Sequence, residues 1–168
     1  MRRAFVLLLG LLAVGAVVVQ STAADSSDGD SSGTDVLEFE VMAPVVAPFT
    51  GTAHPIRGVN GGGVPWKIDR GRGELGSDGR LEIGVKGLVL ESTGQNPVAQ
   101  FRGVVNCLTK ESPDVGVNLA TAPVPATTGG DARIRATVEL PDPCVAPIVF
   151  VTSGTGPAPG NWFATTGR

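Results

Sequence analysis

The chain has 168 residues, with 13 basic and 16 acidic side chains, a net charge of −3, one histidine, two cysteines, two tryptophans and no tyrosine. A charge this close to neutral offers no basic field for a phosphate backbone, which excludes nucleic acid as a partner. One histidine and two cysteines cannot supply the four ligands of a structural zinc site.

Arg2 and Arg3 open the chain and the apolar run Ala4 to Val19 follows them. Ser21/Ala23 and Thr22/Ala24 then fit the small-x-small rule of signal peptidase, so residues 1–24 read as a signal peptide cleaved after Ala23 or Ala24. The run is shorter than the ~20 residues of a membrane span, and no stable membrane anchor is expected after cleavage. The general secretory route fits this run better than the twin-arginine route that "RRAF" touches. The expected location is therefore secreted or extracellular, or the periplasmic space if the cell has an outer membrane. Cleavage removes two arginines and no acid, leaving 11 basic and 16 acidic residues, a charge of −5.

Residues 25–35, "DSSDGDSSGTD", contain only Asp, Ser, Gly and Thr. With nothing apolar to bury, this segment reads as a flexible acidic leader. Asp25, Asp28 and Asp30 miss the 1-3-5 spacing of an EF-hand loop, so no calcium site is assigned to it.

From residue 36 the pattern is strand after strand. "VLEFEVM" sets Leu37, Phe39 and Val41 on one face against Glu38 and Glu40. The stretch "RGVNGGGVPW" follows the single histidine, His54, and reads as a glycine loop whose amides could cradle an anion. His54, Arg57, Asn60 and Trp66 form the candidate binding surface. "GRGELG" at 71–76 has the glycine spacing of a dinucleotide loop, but the turn "SDG" and the alternating "RLEIGV" follow it instead of a helix. It is read as a β-hairpin with Gly71, Gly73 and Leu75 facing inward beside Leu81, Ile83 and Val85. One register pairs Glu74 with Arg80 and Arg72 with Glu82; a slip of two residues keeps the faces and loses those pairs.

Further on, "FRGVVNCL" places Phe101, Gly103, Val105 and Cys107 on one face, and "ARIRATVEL" places Ala132, Ile134, Ala136, Val138 and Leu140 inward. "CVAPIVFVTS" is apolar on both faces and reads as a central strand, or one covered on both sides. In an exported protein Cys107 and Cys144 read first as a disulfide, closing a loop whose constraint stabilises the fold by roughly 4 kcal/mol. These eight or nine short strands predict one all-β domain over 36–168, an antiparallel β-sandwich with a small closed barrel as the alternative.

The blocks "RGVNGGGVPWKI", "GRLEIGVKGLVL", "VVNCLT" and "ARIRATVELPDPCVAPIVFVTS" resemble, in the same order, a group of uncharacterised secreted bacterial proteins that end in "WFA", as at Trp162-Phe163-Ala164 here. The resemblance covers most of the mature chain. It implies export and a single all-β domain, and it carries no activity.

Catalytic constellations are scarce. No G-x-S-x-G elbow accompanies any serine, no carboxylate pair stands out, and His54 has no partner at short spacing. No catalytic residue, metal or cofactor is assigned. The expectation is an exported, non-catalytic protein with an extracellular binding or structural role, its ligand or protein partner and its oligomeric state unknown. The alternatives are a secreted hydrolase using His54 or a carboxylate pair, and a carbohydrate-binding module presenting Trp66 and Trp162 as aromatic platforms.

Overall fold

A computed structural model describes residues 34–166. The expected signal peptide and nearly all of the expected acidic leader fall on residues 1–33, outside the described residues. In chain order the strands are β1 (Asp35–Phe39), β2 (Met42–Pro44), β3 (Trp66–Lys67), β4 (Arg70–Gly76), β5 (Arg80–Lys86), β6 (Val89–Leu90), β7 (Gln100–Leu108), β8 (Val117–Ala120), β9 (Val124–Pro125), β10 (Ala132–Thr137), β11 (Val145–Ser153) and β12 (Trp162–Thr166). Nine of these twelve have three residues or more; β3, β6 and β9 have two each and leave no periodic signal.

Two antiparallel sheets carry the fold. One has the order β1-β4-β5-β10; the other has the order β2-β12-β11-β7-β8, with β9 also on β7. Neither closes on itself, so the architecture is a sandwich and not a barrel. Inward residues of the first sheet (Leu75, Leu81, Ile83, Val85, Ile134) and of the second (Phe101, Val105, Cys107, Val149, Val151) join one buried cluster. The layers meet closely at Gly103, where a Cβ would lie 3.0 Å from Ile83 and 3.1 Å from Leu81.

The alternation of β5 and β10 puts the expected residues inside, because one face of a pleated strand is buried throughout. β11 lies between β12 and β7. Register puts Phe150, Thr152 and Trp162 on the face of β11 and β12 that turns away from the first sheet. Phe49 and Phe150 pack against Trp162 there, at ring distances of 6.5 and 6.2 Å. Within the core Trp66 stacks on Phe163 at 4.0 Å and meets Phe101 edge-on at 6.4 Å.

One local expectation is corrected, and one that was open is decided. Val41 is not inward but 67% exposed, while Met42 is buried. The chain bends at Glu40 as it leaves β1 for β2 in the other sheet, and the bend resets the alternation. The hairpin register is the slipped one: Glu74 lies opposite Glu82, and Arg72 opposite Gly84. Arg80 reaches diagonally to Glu74 at 3.5 Å, and Arg135 and Arg133 hold Glu82 at 3.0 and 3.6 Å. Those cations offset two like charges that would otherwise repel across the strands.

Cys107 and Cys144 form a disulfide, S–S 2.04 Å, fastening β7 to the segment that enters β11. The bond is compatible with an oxidising, extracellular compartment. No helix of the described residues is long and apolar enough to cross a membrane.

Candidate functional site

The residues expected to form a binding surface differ in exposure and in what they bond. His54 is exposed, whereas Trp66 is 3% exposed and lies in the core. Arg57 and Gly58, with φ of 46° and 76°, turn a tight hairpin closed by Ile56 and Val59, whose amides and carbonyls exchange bonds of 3.0 and 2.9 Å. The Arg57 guanidinium is bonded within the fold. Its Nη1 donates to Asn106 Oδ1 at 3.2 Å and to the Ala146 carbonyl at 2.7 Å. Burial lowers the Arg57 pKa from its ordinary value by desolvation. Arg57 is structural here.

The glycine loop is a fastener and not an anion cradle. The Gly61 amide donates to Gly51 O, the Gly62 amide to Trp162 O, and the Trp162 amide to Asn60 O. The amides of Gly61 and Gly62 are therefore spent within the chain. A Cβ on Gly61 would fall on the Phe49 carbonyl, and one on Gly62 would lie 3.1 Å from Trp66 and Phe163. The glycines are needed so that this segment can lie against the core. The aromatic-platform reading of the two tryptophans fails for the same kind of reason. Trp66 and Trp162 are 3% and 2% exposed, so neither presents a ring face to a sugar.

The surface that does form is an open trough of about 720 Å³ on the solvent face of the β1-β4-β5-β10 sheet. Strand register arranges its side chains in rows. The first row runs Glu38, Glu74, Glu82, Arg135 across the four strands. The second runs Arg72, Gly84, Arg133, and the third pairs Arg70 with Lys86. Same-face rows in a strand are about 7 Å apart, and the Cα atoms of Arg72 and Arg133, separated by the Gly84 strand, are about 10 Å apart.

The rows differ in how their charges are used. Glu74 and Glu82 are held by arginines, as described above, and Asp131 Oδ1 accepts the Gly87 amide at 3.0 Å. Arg70, Arg72 and Lys86 make no ion pair among the described residues. Arg102, by contrast, is buried and committed to the Gly154 and Gly156 carbonyls at 3.1 and 3.4 Å. The trough therefore offers cations that the fold itself does not consume.

For acid–base chemistry the trough is poorly built. The Glu74 and Glu82 side chains are 37% and 32% exposed, rise from one face of a sheet, and each is bound to arginine. A glycosidase sets its two carboxylates on either side of the scissile bond. His54 has no hydrogen-bonded or ion-pair partner among the described residues, and no group of three or more His, Cys, Asp or Glu there could hold a metal ion. In the sequence the trough residues fall on outward faces of separate strands, and no local pattern assembles them. The one readable signal is Gly84, a glycine at an outward position of an otherwise regular strand. The chain matches no protein-family model, no curated protein and no solved structure.

Proposed function

We propose that the chain is an exported, non-catalytic binding protein of the secreted bacterial group it resembles, and that it takes an extracellular ligand on the solvent face of its four-stranded sheet. The observation that carries this reading is the trough, where Arg70, Arg72 and Lys86 make no ion pair among the described residues and none of these covers the floor at Gly84. Exposed cations left without partners lose little by staying in water, and they gain when a ligand brings complementary groups. The disulfide supports an oxidising compartment, in agreement with the signal-peptide reading.

The test has two arms. Protein recovered from the extracellular fraction should have a mass that begins at Ala24 or Asp25. It should also bind a member of a panel of neutral and acidic saccharides, polymers and peptides, and the Arg70→Glu/Arg72→Glu double variant should lose that binding while keeping its unfolding midpoint. Retention of residues 1–24, or binding that the double variant leaves intact, would overturn the reading.

A further inference from the structure

We infer that the trough seats the carboxylate of an acidic saccharide on the backbone of Gly84, between Arg72 and Arg133. The inference rests on the binding reading above and names its ligand class.

Gly84 is the anomaly that points there. Among the glycines inside strands, Gly71 makes room for Met42, Gly73 for Phe39 and the Glu82 carbonyl, and Gly103 for Ile83 and Leu81. At Gly84 a Cβ would meet nothing within 4 Å, and the backbone is not in the left-handed region. Its pairing with β4 and with β10 is continuous, so no bulge requires it. A glycine within a strand forfeits packing and conformational order, and close approach by another molecule is a reason to keep one. Nothing among the described residues makes that approach.

Register fixes what would meet the visitor. Arg72 and Arg133 flank Gly84 on its two neighbouring strands, on the same face; the Arg133 side chain is 68% exposed and touches Glu82 through one nitrogen at 3.6 Å, a contact that a ligand carboxylate would share. Long side chains from positions about 10 Å apart can converge over the floor, and the guanidinium fork matches a planar carboxylate. In the neighbouring row Glu74 and Glu82 are already held by arginines, so the cations that make no ion pair among the described residues are confined to Arg70, Arg72 and Lys86, a set suited to one carboxylate and not to a long run of them. Glu38 and Glu40, which make no ion pair among the described residues, are acceptors suited to sugar hydroxyls. Ile83 and Val85 turn into the core, so the trough offers no apolar side chain to an acyl chain or a peptide anchor. A peptide joining by main-chain bonds would use a sheet edge and not this face.

The experiment is a titration of the ¹⁵N-labelled secreted protein at low salt with D-glucuronate, D-glucose and acetate in turn. D-glucuronate should move the Gly84 amide and the Arg72 and Arg133 Nε–H signals, with a Kd roughly tenfold below that for glucose or acetate. Arg72→Ala should weaken it by about tenfold. Gly84→Val should abolish it with an unfolding midpoint equal to or above wild type, since the side chain enters open space. Acetate binding as tightly as glucuronate would overturn the saccharide, and glucose doing so would overturn the carboxylate. A lowered midpoint for Gly84→Val would overturn the argument from the glycine. If glucuronate leaves the trough silent while another panel member moves it, the ligand class falls and the binding reading stands. Silence towards every member sinks both.

Discussion

The guanidinium of Arg57 donates to the carbonyl of Ala146 at 2.7 Å, and these are the two non-glycine residues with positive φ among the described residues, both at 46°. Each conformation has a local cause. Arg57 is the first central residue of a hairpin turn, and Ala146 sits where the β11–β7 register shifts between Val145 and Ile148. The bulge carbonyl is thereby given a charged donor, and the same donor serves Asn106, which is fully buried and also bonds Val115 O and Asn118 Oδ1. Arg57→Ala should lower stability by about 1–3 kcal/mol, because the Asn106 and Ala146 oxygens lose a shared partner. Ala146→Val should be worse than Ala146→Gly, since a β-branched residue strongly resists this region and glycine does not. Denaturant midpoints at constant m-value check both. Equal midpoints for the two Ala146 variants would mean that the bulge is not held at positive φ.

Both tryptophans should behave as core residues. Trp66 stacks on Phe163 and Trp162 contacts Phe49 and Phe150, so native emission should be blue-shifted and resistant to iodide. Phe163→Ala should destabilise by about 3–5 kcal/mol by removing the ring beneath Trp66. Strong iodide quenching of the folded protein would contradict this burial and reopen the aromatic-platform reading.

The faces of β5 and β10 were legible because each strand buries one side along its whole length, so Leu81, Ile83, Val85 and Ile134 announce themselves by alternation. The disulfide was legible from cysteine count and compartment together. Register was not, since pairing Glu74 with Arg80 or with Glu82 buries the same faces. Val41 was misplaced because alternation continues in the sequence through a bend where the chain changes sheets. The glycine loop misled because its composition is that of a mobile anion loop, while its amides are bonded to Gly51 and Trp162, the latter about a hundred residues away. The trough was hidden for a related reason. Arg133 reaches Gly84 through strand pairing across 49 positions, which no local pattern encodes.

The Cys107–Cys144 bond should stabilise the fold mainly through the unfolded chain. It joins positions separated by 37 residues. Closing such a loop removes unfolded-state entropy worth roughly 4 kcal/mol. The double variant Cys107→Ala/Cys144→Ala should lose about that amount, with a denaturant midpoint near that of the wild type unfolded in reductant. A double variant as stable as oxidised wild type would show that β7 and β11 need no covalent fastening.

The strand glycines should divide sharply under substitution by alanine. At Gly73 the added Cβ collides with the Glu82 carbonyl and lies 2.7 Å from the Phe39 ring, and the carbonyl belongs to a paired strand that cannot recede alone. At Gly71 it lies 2.7 Å from Met42 Cβ and Cγ, a looser approach than the one to the Glu82 carbonyl. At Gly84 it meets nothing. Gly73→Ala should therefore lose about 1–3 kcal/mol or more from overpacking, with Gly71→Ala intermediate. Gly84→Ala should be neutral or gain up to about 1 kcal/mol from a stiffer unfolded chain and better strand propensity. Thermal midpoints of the three variants in one buffer decide it. The order Gly73, Gly71, Gly84 from most to least damaging follows from the backbone geometry alone, and a Gly84→Ala loss as large as that of Gly73→Ala would place a contact over Gly84 within the chain itself.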